Sequence, residues 1–410
     1  MVVEKYSNRI KETSINIVQT SVESIRKKDI TKTGMRVYKD GFIGISGSLG
    51  NAEDSILIKE AEEALANKIP YNLEPTANKE EAIDCRGELL DDEAFVNEIG
   101  IVMEELKKSQ PNFYFTNKIN LVEQEINLSN IRNLNLSYKD RYMLAELVFK
   151  EKSSRNIMDG FVEFQGRKYN RDAFLSLTNS TCDAYSNLLS FDKEGTYPVV
   201  FSMLEGLPLM KFLQDLNANL FSTGSSLLSG KTGEKLFSND FTLYQSLNPE
   251  DGIHPFFDAE GTVNDNYRYS LIKNGVVVSP YTDKRTADKY KLALTGSAVA
   301  EYDSVPSLGL TGFSVEEANK SLEDLLGGEK AIFVAIASGG DFTPAGDFAT
   351  PVQLPFLFDG KRLIGRLPEL QVFSNIYHMF GAGYRGTAKS AINPLSINKY
   401  MVMDLNVSKI

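Results

Sequence analysis

The sequence contains no tryptophan and, among 410 residues, only two cysteines and two histidines. Cys85 and Cys182 cannot build a disulfide framework, which is typical of a protein from the reducing cytoplasm. Most zinc enzymes and most acid–base hydrolases use more imidazole than His254 and His378 supply. The composition therefore disfavours both classes of enzyme.

Long apolar runs and an excess of positive charge are also missing. No run approaches the roughly eighteen apolar residues of a membrane-spanning helix, and the opening residues lack the apolar core of a secretory signal. The 55 acidic and 44 basic residues give a net charge of −11, which argues against a broad surface for nucleic-acid phosphates. We expect no membrane or nucleic-acid partner, and a chain of this length predicts two domains.

The first domain, residues 1–195, is predicted to be α+β, a mostly antiparallel sheet with helices on one face. An apolar stripe at helical spacing predicts a first helix (Ile15, Val18, Val22 and Ile25). Asp40-Gly41 predicts a hairpin within 34–48, since this dipeptide fits a type I′ turn. The remaining patterns predict helices over 52–67, around Phe95–Leu106 and over 171–190, extended structure over 113–150 and a hairpin over 161–169.

The second domain, residues 196–410, is predicted to be β-rich after a strand at 197–202 and a helix near 203–219. Asn274-Gly275 and Asp359-Gly360 predict further hairpins. Ser314 and Glu317 form an S-x-x-E capping pattern, which predicts a helix that buries three leucines and ends at the next glycine pair (Leu322, Leu325, Leu326; Gly327-Gly328).

The stretch GSSLLSGKT, which begins at Gly224, is the first candidate for chemistry. A phosphate-binding loop needs four residues between its first glycine and the Gly-Lys pair. Here five residues separate Gly224 from Gly230. A glycine-rich turn followed by a strand is therefore favoured over a nucleotide site.

A serine hydrolase and a zinc site are weak alternatives. Ser225 or Ser226 with His254 would be the serine–histidine pair, but no G-x-S-x-G elbow is present. His254 precedes a proline in a polar loop, and His378 lies on an apolar face, where we expect a buried core histidine. No H-x-x-x-H or H-E-x-x-H pair exists to bind zinc.

A carboxylate site for magnesium or calcium stays open as an alternative. Its ligands would be Asp258, Glu260, Asp341 and Asp347. Their spacing matches no known cation-binding loop. Acidic residues beside glycines commonly cap turns instead.

Several motifs in a fixed order carry a resemblance to a known family. They are GSSLLSGKTGEKLFSNDFTL from Gly224, FDAEG at 257–261, IKNGVVVSPYTDKRTADKY at 272–290, LTGSA at 294–298 and GGDFTPAGDF at 339–348. Together with GMRVYKDGFIGIS at 34–46, this set resembles the TldD/PmbA family, also labelled modulator of DNA gyrase. The resemblance implies an N-terminal α/β domain and a β-rich C-terminal domain used for dimerisation and a peptide channel.

The zinc motif of that family is absent from this chain. TldD-type members carry H-E-x-x-x-H on a helix before the glycine-serine stretch, and the corresponding positions here are Leu209, Met210 and Gln214. Leucine and methionine supply neither an imidazole nor a carboxylate. The family's third ligand, a C-terminal cysteine, is also missing, because no cysteine follows Cys182. The resemblance is therefore to the PmbA branch, also called TldE.

The resemblance implies a subunit without catalytic residues or a cofactor of its own. In the family, TldE pairs with a zinc-binding TldD subunit in a heterodimeric metalloprotease that cuts unstructured peptides. A stand-alone homodimeric regulator that binds peptides or proteins is the alternative, and a self-sufficient peptidase with an unrecognised site is the third hypothesis. The motif residues expected to shape turns or the channel are Gly224, Ser225, Gly230, Asp258, Glu260, Gly261, Gly296 and Asp347.

Overall fold

The computed structural model describes residues 1–203, 206–389 and 392–410. The strands of the N-terminal half are β1 (Val2–Val18), β2 (Ser21–Lys39), β3 (Phe42–Leu49), β4 (Ile69–Pro70), β5 (Lys79–Asp84), β6 (Phe113–Asn130), β7 (Leu134–Glu151) and β8 (Gly160–Gly166). Its helices are α1 (Asp54–Ala64), α2 (Asp92–Ser109) and α3 (Arg171–Ser186). The sheet runs in the order β4-β3-β2-β1-β6-β7-β5, and β8 pairs with β7. All of these pairings are antiparallel except β5 with β7.

The predicted first helix is wrong. Residues 2–18 and 21–39 form a long hairpin whose turn, Gln19-Thr20, has positive φ at both residues. Ile15 faces Ile25 across the hairpin, so the spacing of the predicted stripe comes from two paired strands and not from one face of a helix. The predicted hairpin at 161–169 is also wrong, because a single strand, β8, pairs there with β7.

Signals that are local in sequence were read correctly in this half. The hairpin at Asp40-Gly41 joins β2 to β3, and helices occupy most of 52–67 and 171–190. Helix α2 buries the predicted stripe from Phe95 to Leu106 and is capped by Asp91, whose carboxylate accepts from two backbone N–H groups.

The C-terminal half contains the strands β9 (Gly195–Ser202), β10 (Leu243–Ser246), β11 (Arg268–Lys273), β12 (Val276–Val277), β13 (Ala298–Val299), β14 (Ser307–Leu308), β15 (Phe313–Val315), β16 (Ala331–Ala337), β17 (Asp341–Phe342), β18 (Asp347–Phe358), β19 (Leu363–Arg366), β20 (Leu370–Asn375), β21 (Tyr384–Lys389) and β22 (Lys399–Lys409). Its helices are α4 (Met210–Asp215), α5 (Ala218–Ser222), α6 (Lys284–Tyr290), α7 (Leu322–Leu326) and α8 (Ile376–Met379). Short 3₁₀ turns lie at Leu65–Asn67, Leu207–Leu209 and Asp265–Tyr267.

Five strands of this half form a closed ring in which each strand pairs with the next. Their spatial order is β16, β9, β22, β20 and β18, and β18 pairs again with β16. This ring surrounds an aromatic core that includes Phe212, Phe241 and Phe380, with ring centroids 4.6 to 5.5 Å apart. A smaller sheet, β12-β11-β10-β15, packs beside it.

Two predictions for this half need correction. Ser314 lies in β15 and caps nothing; α7 begins at Ser321, which forms a capping box with Asp324. The same S-x-x-acid spacing occurs twice, and the structure uses the second. The helix predicted near 203–219 includes residues 204–205, which lie outside the described residues; from Leu207 it is divided into a 3₁₀ turn, α4 and α5.

The overall class is α+β, with a mostly antiparallel N-terminal sheet, as predicted. The two halves share core residues: Leu354 and Phe356 of β18 pack among N-terminal side chains, and Phe256 and Phe257 pack against β6 and β7. The division at residue 195 stays a prediction. Among the described residues, no helix has the length and apolar character needed to cross a membrane.

Gly34 is a close contact between the halves and gives a test of their packing. A Cβ there would lie 1.7 Å from the carbonyl oxygen of Tyr302. We expect Gly34→Ala to lower the free energy of unfolding by about 1–3 kcal/mol, because the backbone must move to relieve the overlap. Denaturant unfolding measures the effect. Gly100→Ala on α2 is the matched control: its Cβ meets no atom within 4 Å, so stability should rise by up to about 1 kcal/mol. Equal effects of the two substitutions would contradict the predicted contact.

Candidate functional site

The structure separates the predicted site residues into two groups. One group surrounds α4, where the zinc-motif positions, the glycine-serine loop (residues 224–230) and the G-D-F hairpin (residues 339–348) meet. The other lies between the halves of the protein and contains Asp258, Glu260, Gly261 and Gly296.

The zinc-motif positions face different surroundings. Leu209 is 3% exposed and packs in the core, whereas Met210 is 47% exposed and Gln214 is also exposed. Histidines at positions 209 and 214 would therefore not converge on one ion. The residues present do not fit a zinc site.

A buried ion pair fastens α4 to the glycine-serine loop. Lys211 Nζ lies 2.9 Å from Asp215 Oδ2, and the two side chains are 4% and 1% exposed. The N–H of Leu227 donates to Asp215 Oδ1 at 3.1 Å, and Ser226 Oγ donates to the Asp215 carbonyl at 2.6 Å. A buried pair of this kind costs several kcal/mol when one partner is removed, so the loop is held firmly on the helix.

The G-D-F hairpin packs against the same loop. A Cβ on Gly346 would lie 2.6 Å from Ile376 and 3.1 Å from Leu227. The Asp347 carboxylate is exposed and accepts from Asn375 Nδ2 at 2.9 Å and from Thr343 Oγ1 at 3.3 Å. Asp347 therefore closes the hairpin. The other loop positions, Gly224, Ser225 and Gly230, are exposed, and both glycines have positive φ.

The second group is built on the carboxylate of Asp258, which is 2% exposed. It accepts backbone N–H groups from Glu260 at 3.0 Å, Thr262 at 2.8 Å and Ala298 at 3.0 Å. The last of these belongs to the LTGSA motif, in which a Cβ on Gly296 would lie 3.3 Å from Thr262. Asp258 thus joins the FDAEG and LTGSA motifs through the backbone.

Glu260 joins this turn to the N-terminal half. Tyr71 donates its hydroxyl to Oε1 at 2.7 Å, the N–H of Lys284 donates to Oε2 at 2.9 Å, and Thr76 Oγ1 donates to the Glu260 carbonyl at 2.6 Å. Burial and the neighbouring Asp258 carboxylate raise the pKa of Glu260 to about 7. Gly261, with φ of 72°, sits where a Cβ would press on Leu128 at 3.1 Å.

A second buried pair contacts the turn from strands β1 and β2. Arg36 Nη1 donates to the Ala259 carbonyl at 2.6 Å and lies 3.3 Å from Glu4 Oε1. Both side chains are at most 2% exposed, and Tyr38 donates to the same Glu4 oxygen. The FDAEG turn is therefore enclosed by the N-terminal sheet and has no open surface at its carboxylates.

The residues named for the serine-hydrolase and metal-site alternatives are not arranged as those sites require. Ser226 Oγ is bonded to α4, and His254 Nδ1 lies 3.4 Å from the Pro255 carbonyl oxygen. His378 was expected in the core but is exposed, with Nε2 3.1 Å from the Asp404 carbonyl. Among residues 1–203, 206–389 and 392–410, no three His, Cys, Asp or Glu side chains are grouped as metal ligands would be. Asp341 and Asp347 are exposed, whereas Asp258 and Glu260 are buried.

One pair with catalytic geometry was missed by the sequence reasoning. Ser314 Oγ lies 3.1 Å from Lys399 Nζ, an arrangement that serves as a nucleophile and base in some hydrolases. The Lys399 side chain is 6% exposed and is ion-paired with Asp251 at 3.0 Å and with Glu317 at 3.2 Å. The Lys399 Nζ is therefore part of an ion-pair network and does not face Ser314 alone. No local signal points to a pair separated by 85 residues.

Comparison with known proteins points to one family. The model of the PmbA/TldA metallopeptidase C-terminal domain matches residues 194–398. An uncharacterised protein of Methanocaldococcus jannaschii is 22% identical over 381 residues, which cover 90% of this chain and 87% of the relative.

Solved structures share the fold over nearly the whole chain. TldE from Thermococcus kodakarensis superposes with a TM-score of 0.80 at 18% identity and covers 100% of this chain and 97% of its own. A proposed modulator of a DNA gyrase from Thermotoga maritima gives 0.74 at 15% identity, over 99% and 96% of the two chains. A similar protein from Bacteroides thetaiotaomicron gives 0.77 at 15% identity, over 100% and 95%.

The pKa of Glu260 predicts a pH dependence of stability. The pKa in the folded protein lies above the ordinary value of 4.5, so the folded state binds the extra proton and stability falls as pH rises from about 4.5 through about 7. Glu260→Gln removes this titration. Between about pH 4.5 and pH 8, the wild type should lose about 3 kcal/mol relative to Glu260→Gln.

Denaturant unfolding across this pH range checks the prediction, and Glu62→Gln, an exposed change on α1, is the control. Parallel pH profiles for the wild type and both variants would show that Glu260 does not titrate in this window.

Proposed function

Since the chain belongs to the TldD/PmbA family, we propose that it is the TldE-like, non-catalytic subunit of a heterodimeric metalloprotease that acts on unstructured peptides. A TldD-like subunit would supply the zinc ion and the general base. We propose a cytoplasmic location, in keeping with two free cysteines, Cys85 and Cys182.

The observation that carries the proposal is the state of α4. The helix keeps its place in the fold through Phe212, the Lys211–Asp215 pair and Leu209 of the preceding 3₁₀ turn, all of which are buried. The positions that would hold a base and a second ligand carry Met210 and Gln214. A helix that retains its packing residues without metal ligands fits a subunit that completes an assembly and leaves the chemistry to its partner.

The exposed side of α4 suits contact with a polypeptide. Met210 and Leu213 are 47% and 43% exposed there, and exposed apolar side chains on a fixed helix favour protein or peptide contact. This feature also fits the alternative, a homodimeric regulator without peptidase activity. The two functions differ in whether a zinc-binding partner is required.

Peptide cleavage with and without the partner tests the proposal. The purified chain should not cleave a fluorogenic unstructured peptide, with or without zinc. Co-expression with the H-E-x-x-x-H paralogue of the same genome should give a co-purifying complex and chelator-sensitive cleavage. Cleavage by the chain alone would overturn the non-catalytic assignment. Absence of both a complex and cleavage would favour the regulator.

Restoring the zinc motif gives a further prediction. We expect Leu209→His/Met210→Glu/Gln214→His to bind no additional zinc, because position 209 points into the core. The buried histidine should lower the free energy of unfolding by about 2–4 kcal/mol. Metal analysis and denaturant unfolding measure the two effects.

The matched control is Met210→Glu/Gln214→His, which changes exposed positions and should unfold as the wild type does. Stoichiometric zinc binding by the triple variant would show that position 209 can turn towards position 214, contrary to the observed burial.

A further inference from the structure

An apolar groove away from α4 holds an arginine without an anion partner. The groove, about 570 Å³ in volume, lies between the two halves and includes Ile157, Met158, Tyr185, Leu188, Gln353 and Arg366. None of its lining residues belongs to α4, to the glycine-serine loop or to the FDAEG turn. Its position next to β18 and β19 is fixed by the sheet of the C-terminal half.

The groove gathers exposed apolar side chains at one place. Ile157 is 97% exposed, Leu188 is 66% exposed and Met158 is 40% exposed. Single exposed apolar residues are ordinary, but a contiguous group beside a groove indicates a contact surface. Leu354 and Leu367 form its buried apolar floor.

Arg366 is held in place before any ligand arrives. Its guanidinium lies 4.0 Å from the ring centroid of Tyr185, and that ring is itself fixed by edge contacts with Phe113 and Phe149. The backbone of Arg366 is bonded on both sides, to the carbonyl of Asn187 and the N–H of Leu189. Such stacking presents the planar fork of donors in one orientation.

The guanidinium has unused hydrogen-bonding capacity. Within the described part of the chain, no carboxylate lies within ion-pair distance of Arg366, and its buried Nε has no hydrogen-bond partner. Two acidic residues, Asp159 and Glu369, also line the groove. The Asp159 carboxylate is already occupied by the N–H of Glu151, Ser154 Oγ and Asn156 Nδ2, and Glu369 is exposed to solvent. The Oε1 atom of Gln353, which also lines the groove, is buried without a donor.

We propose that this groove binds the C-terminal end of a polypeptide, with the terminal carboxylate on Arg366 and an apolar last side chain against Ile157, Met158 and Leu188. A carboxylate matches the planar guanidinium in charge and in paired-donor geometry. The inference is independent of a zinc-binding partner, because the groove is complete within one chain.

Fluorescence anisotropy with two nonapeptides tests the proposal. Both carry fluorescein at the N-terminus and end in Leu-Leu; one has a free carboxylate and the other a C-terminal amide. The full chain should bind the free acid about tenfold more tightly than the amide. Equal affinities would overturn the proposal.

Matched variants locate the binding. Arg366→Gln should lower affinity for the free acid to that of the amide, whereas Arg362→Gln, a nearby exposed arginine paired with Asp359, should change nothing. Ile157→Ser should weaken both peptides, and Ile131→Ser, 67% exposed in another turn, should weaken neither. Melting temperatures verify that each variant is folded. Arg366→Lys keeps the positive charge but not the planar fork, so we expect it to retain part of the affinity for the free acid.

A third peptide separates a chain end from an internal acid. It carries an aspartate between two leucines and ends in an amide. Binding as tight as that of the free acid would overturn the terminal assignment. Unchanged binding of the free acid by Arg366→Gln would remove the proposed site altogether. Neither result bears on cleavage by the heterodimer, so the two proposals fail separately.

Discussion

The burial of two carboxylates in the FDAEG turn is the constraint on which the arrangement of the halves depends. Asp258 and Glu260 are at most 3% exposed, so protein donors must replace water around them. Asp258 obtains these donors from its own half, but Glu260 needs the hydroxyl of Tyr71. Loss of the Tyr71 hydroxyl alone would leave the buried Glu260 carboxylate short of a donor, at a cost of about 1–3 kcal/mol or more. The halves therefore hold one position, and the groove at Arg366 depends on it.

The motifs that identify the family act here through packing. Asp215 uses its carboxylate to bind both Lys211 and the backbone of Leu227, which fastens the glycine-serine loop to α4. Gly346 allows the hairpin to approach the same loop. Packing on several sides therefore holds α4 in place without a metal ion. A packed helix that lacks metal ligands fits the proposed non-catalytic subunit.

The sequence predicted elements whose cause is local and missed those whose cause is distant. The helix around Phe95–Leu106 and the Asp40-Gly41 turn depend on immediate neighbours in the sequence, and both were predicted correctly. Ile15 and Ile25 were assigned to a helix because a hairpin without glycine in its turn leaves no break in the pattern. The motif order predicted the family and α4, but spacing could not reveal which motif carboxylates are buried between the halves.

The groove lay beyond sequence reasoning for the same reason, since Ile157, Tyr185 and Arg366 meet only in the folded chain. The geometry of the groove also affects how tightly it would bind a ligand carboxylate. When a mobile arginine side chain binds a ligand, the loss of its rotamer entropy costs on the order of 2 kcal/mol. The stacking on Tyr185 and the bonded backbone of Arg366 remove part of that loss before binding. Holding the Arg366 guanidinium rigid without an ion pair partly desolvates its charge, which lowers the free energy of unfolding. A bound ligand carboxylate would offset this loss.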